Sequence, residues 1–163
     1  MDDAVFDLIM QGNISALEDV GFIHTIYEVD IERNLNVVIS CGPVSVINWM
    51  LSYNLPAEVL NERGDNGFTL LTDVLGRQDK NNIVPIIWAL LKAGCDIDSI
   101  GAHSMTALHL ALRICDDAVV TALCRFGARM DICDDLGEEG TQIELAKKLG
   151  RFHLLEPWIK NKN

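Results

Sequence analysis

No lysine or arginine precedes Arg33 in this 163-residue chain, and the Met1-Asp2-Asp3 start is acidic. A secretory leader begins with basic residues and continues into an apolar stretch, so none is expected. The longest apolar run, Ile83 to Leu91, is interrupted by Pro85 and falls far short of the ~20 residues a membrane span requires. Aromatic residues make up only 6% of the chain, so its apolar content rests on Leu, Ile, Val and Ala, an ordinary soluble composition. A cytoplasmic location is expected.

Chemistry-bearing motifs are also scarce. Five cysteines, Cys41, Cys95, Cys115, Cys124 and Cys133, include no C-x-x-C pair. The last three recur every nine residues, but a zinc site wants close ligand pairs. Reduced thiols filling apolar positions are expected instead. Asp134-Asp135 and Glu138-Glu139 do not follow the ligand spacing of a helix-loop-helix calcium site. Gly64-Asp65-Asn66-Gly67 has neither a flanking strand nor a lysine, so it is a turn and not a phosphate loop. No serine, threonine or cysteine lies in a nucleophile motif. The expectation is a protein without cofactor, metal or catalysis.

What the chain does have is negative charge. The formal net charge is -11, and Asp2, Asp3, Asp7, Glu18, Asp19, Glu28, Asp30 and Glu32 all precede the first cation. Nucleic acid and anionic membranes would be repelled, whereas a basic protein would be drawn in. The expected partner is another protein with a basic surface, and the chain itself is expected to be a monomer.

It also repeats. Thr69-Leu70-Leu71-Thr72-Asp73-Val74-Leu75, Thr106-Ala107-Leu108-His109-Leu110-Ala111-Leu112 and Thr141-Gln142-Ile143-Glu144-Leu145-Ala146 each start an amphipathic helix with threonine. Downstream, Ala93-Gly94-Cys95-Asp96-Ile97-Asp98 and Phe126-Gly127-Ala128-Arg129-Met130-Asp131 place their glycines 33 residues apart. That is the ankyrin interval.

The block from Ser104 to Asp131 closely resembles the ankyrin repeat. Thr106-Ala107-Leu108-His109-Leu110-Ala111 stands where that family has T-P-L-H-x-A, with Ala107 replacing proline. The unit opening at Asp65-Asn66-Gly67-Phe68-Thr69 keeps the glycine and threonine, and has about four residues more around Arg77 to Asn82 than a repeat of about 33. Leu35 to Cys41, Gly42-Pro43 and Val44 to Tyr53 read as a further helix-turn-helix. There glycine ends one helix and proline opens the next.

The resemblance implies an all-α fold, an ankyrin-repeat solenoid with β-turn or hairpin fingers. One domain over 1–163 would hold five stacked helix pairs, at roughly 4–20, 35–53, 69–93, 106–126 and 141–160. Each pair has too much apolar surface to stand alone and must stack on its neighbours. Ile83 to Leu91, apolar nearly all round, is expected to be buried between flanking units. His109 would hydrogen-bond turn backbone and tie adjacent repeats together.

Function would then lie in a concave wall of fingers, with tips at 28–34, 61–66, 98–104 and 131–139. The candidate partner-binding residues are Glu62, Asp65, Asn66, Phe68, His103, Met105, Asp134, Asp135, Glu138 and Glu139. Phe68 and Met105 would be apolar anchors ringed by charge. The chain resembles short ankyrin-type immunity and inhibitor proteins, which implies neutralisation of a basic target such as a toxin domain. The alternative is an ankyrin scaffold, adaptor or microbial effector acting on host signalling.

Overall fold

The computed structural model describes residues 3–22, 31–64, 67–133 and 140–159, and of 31–34 the backbone alone. The described residues are helical and contain no strand; their one isolated bridge joins Cys133 to Thr141. None of their helices is long and apolar enough to cross a membrane. The chain forms two compact units, Met1–Cys95 and Asp96–Asn163.

In the first unit, α1 (Asp3–Gln11) packs on α2 (Ile14–Asp19). Gly12, at φ 68°, lets the chain turn between them. Asn13 caps α2 by accepting the Ala16 N–H at 3.2 Å. Two further pairs follow: α3 (Ile31–Cys41) with α4 (Val44–Leu51), and α6 (Leu70–Leu75) with α7 (Ile83–Ala93). α3 packs on α6 and α4 on α7, like element on like. A core of Leu35, Val38, Ile39, Val46, Ile47, Leu71, Val74, Leu75, Ile86, Ile87 and Leu90 fills the space. Neither pair could bury these side chains by itself.

Gly42 has a steric reason to be where it is. A Cβ there would meet the Val38 carbonyl oxygen at 2.6 Å, closer than real contacts allow. Pro43 follows as the N-cap of α4, where a missing N–H costs nothing.

Two features of this unit depart from the sequence reading. A short helix, α5 (Ala57–Asn61), lies ahead of the Thr69 helix and starts after Pro56. It is clipped to the end of α7, since Asn61 Nδ2 donates to the Gly94 carbonyl at 3.4 Å and Cys95 Sγ to the Leu60 carbonyl at 3.5 Å. In addition, α7 is apolar all round but not buried all round. Ile83, Ile86, Ile87 and Leu90 face the core, whereas Trp88 is 47% exposed with Lys92 Nζ 5.0 Å from its ring centroid. The cation over the indole face offsets part of the cost of that exposure.

The second unit holds α8 (Ala107–Ile114), α9 (Asp117–Arg125), α10 (Gln142–Lys148) and α11 (Glu156–Ile159). α8 packs on both α9 and α10, and a 3-10 turn at Phe152–Leu154 packs on α9, α10 and α11. Leu108, Leu112, Val120, Leu123, Leu145 and Leu155 are its buried core.

The recurring threonines are helix caps. Thr69 N–H donates to Thr72 Oγ1 at 2.8 Å, Thr106 N–H to His109 Nδ1 at 3.2 Å, and Thr141 N–H to Glu144 Oε2 at 2.7 Å. In each case the third helical residue satisfies the cap's amide while threonine caps the helix, the reciprocal arrangement of a capping box. The repeat spacing in the sequence is the spacing of these helix starts.

Candidate protein-interaction surface

Ahead of two of the Thr-led helices, α6 and α8, lies a tight turn closed by backbone. Gly64 N–H donates to the Phe68 carbonyl at 2.9 Å, and Gly101 N–H to the Met105 carbonyl at 2.9 Å. Phe68 and Met105 are equivalent, each half-buried just before its capping threonine. Glu62 is exposed on the approach to the first turn, and His103 is exposed within the second. Asp65 and Asn66 lie outside the described residues, as do Asp134, Asp135, Glu138 and Glu139. Of the candidate residues, the first unit therefore presents Glu62 beside Phe68, and the second presents His103 beside Met105.

His103 and Ser104 both take positive φ, 56° and 53°. Two successive left-handed residues suit a tight two-residue turn, and glycine or asparagine usually fills it. Gly67, at φ 76°, fills the position that corresponds to Ser104. The second turn is thus held in a conformation its side chains disfavour.

Two of the acids expected at the tips serve the fold itself. Asp98 Oδ1 accepts the Arg129 amide at 2.8 Å. The Arg129 guanidinium then grips Asp131 through Nε at 3.0 Å and Nη2 at 3.1 Å, and this pairing raises the arginine's pKa. Asp98 thereby ties together the two ends of the span 98–131, and the single guanidinium answers part of the charge of the two acids.

Behind the second turn sits a buried polar cluster. His109 is fully buried. Because its Nδ1 accepts the Thr106 N–H, the ring proton sits on Nε2, which donates to the Gly140 carbonyl at 3.3 Å. Gln142, also fully buried, donates from Nε2 to Thr106 Oγ1 at 3.1 Å and accepts the Ile132 N–H at 3.1 Å. Three chain segments, 106–109, 132 and 140–142, are thereby fastened to one another.

A second fastening has no counterpart in the sequence reading. Arg77 reaches back to the end of α3, donating to the Ile39 carbonyl and to the Gly42 carbonyl at 2.9 Å. Arg151 does the same for α8, donating to the carbonyls of Leu112 at 2.6 Å and Cys115 at 2.9 Å, and to Asp117 Oδ1 at 2.6 Å. Helix C-termini carry unsatisfied carbonyls and partial negative charge, so a guanidinium fork suits both needs. The signal was present as Gly76-Arg77 and Gly150-Arg151, each a Gly-Arg step just after a Thr-led helix.

The turn, α8, α9 and the return to Cys133 are the parts of one recurrent unit, and comparison with known families gives it a name. Residues 103–135 match the family model for the ankyrin repeat. This segment is similar to an ankyrin repeat. The match takes in His103, Met105, Asp134 and Asp135. No curated protein matches the chain. Ankyrin repeats are typically non-catalytic protein–protein interaction modules.

Proposed function

We propose that the chain is a non-catalytic protein-binding module that neutralises a basic partner, in the manner of an inhibitor or immunity protein. The observation that carries this reading is the ankyrin repeat at 103–135, joined to a net charge of -11. Contacts are made by Glu62, Asp65, Asn66 and Phe68 ahead of α6, by His103 and Met105 ahead of α8, and by Asp134, Asp135, Glu138 and Glu139 ahead of α10. Phe68 and Met105, half-buried at the base of their turns, supply apolar contact, and the acids steer a cationic surface toward it.

The test is capture from the native source followed by kinetics on the purified pair. Reversing charge at Asp134, Asp135, Glu138 and Glu139 is expected to slow association at low salt by tenfold or more, within the roughly 10–10³-fold range of electrostatic steering, with the melting temperature unchanged. An on-rate indifferent to both salt and charge reversal would sink the reading. Capture of a signalling protein whose activity persists in the complex would favour an adaptor instead.

A further inference from the structure

We draw no further inference here: the strongest candidate, the cleft of about 300 Å³ between the ends of α4 and α7 lined by Asn48, Ser52, Asn54 and Lys92, has amides and a hydroxyl that suit donor and acceptor alike and a lysine that already lies over the Trp88 ring, so nothing in the structure shows what covers it.

Discussion

Arg151 donates to the Leu112 carbonyl at 2.6 Å, so the residue that follows α10 closes the C-terminus of α8. Arg77 does the equivalent for α3 from beyond α6. Each arginine answers carbonyls that no amide of the preceding helix reaches, and so couples one helix pair to the one before. Arg151→Ala is expected to cost about 2–3 kcal/mol, the scale of charge-assisted hydrogen bonds, read as a lower denaturation midpoint with unchanged m-value. Arg151→Lys should recover part of the loss, since it keeps the charge but not the fork. Arg77 is only 5% exposed, and burial lowers its pKa while Asp79 opposes that shift. Arg77→Ala should therefore lose at least as much, and Arg77→Met less, because methionine refills the space without a buried charge.

Backbone strain in the second turn gives a prediction of opposite sign. Ser104, at φ 53°, occupies the position where the first unit has Gly67 at φ 76°. Ser104→Gly is expected to stabilise the fold by about 1 kcal/mol by removing the left-handed penalty. Gly67→Ala is expected to destabilise it by about the same amount. Thermal melts of the two variants check both signs. If the strain serves binding, Ser104→Gly will also weaken partner affinity while raising the melting temperature.

The buried cluster around His109 predicts an asymmetry between its members. Gln142→Leu leaves the Ile132 amide and Thr106 Oγ1 without the partner that Gln142 now provides. A loss of about 1–3 kcal/mol is expected, the desolvation cost of buried polar groups left unmade. Gln142→Glu keeps the acceptor for Ile132 but loses the donor to Thr106, and should be worse than glutamine at neutral pH. Hydrogen exchange at the Ile132 amide reports the local opening directly.

Two groups give stability a pH dependence, with different windows. Hydrogen bonds from the Thr141 backbone and side chain lower the pKa of Glu144 below 4.5. The unfolded chain therefore takes up the proton first, and this contribution, present above the ordinary carboxylate value, is lost as pH falls through the lowered one. Glu144→Gln should flatten that part of the acid limb. Burial raises the Cys124 thiol from 9.0 to about 11. Its contribution is full below the unfolded value and declines as pH rises from about 9 toward 11. Cys124→Ala should weaken the fold at neutral pH yet remove this alkaline slope, as urea melts at pH 7, 9 and 10.5 would show.

How much of this was legible beforehand differs from element to element. The threonines that mark α6, α8 and α10 could be read as helix starts because capping is local, whereas the role of His109 came from the ankyrin resemblance. The donor and acceptor lie three residues apart, and the sequence prints both. Gly42-Pro43 was legible for the same reason. Phe68 and Met105 each stand one residue before a cap, so their position beside the turns follows from the same local signal. The acids were harder. Asp98 and Asp131 look like free tip residues until Arg129 is seen to lie between them in space, and a charge pattern does not reveal which charges are already answered.

The sequence alone determined the helical periods, the threonines that start them, the surplus of negative charge and the ankyrin-like spacing of the block from Ser104 to Asp131. Each of these depends on residues within one or two turns of one another, where chain connectivity leaves little choice. Only tertiary structure decided that Arg77 and Arg151 reach back to earlier helices and that Gln142 reaches Thr106. Those outcomes depend on groups more than thirty residues apart in sequence brought together by burial of the apolar core, and the apolar side chains that drive that burial do not themselves specify which polar groups it will align.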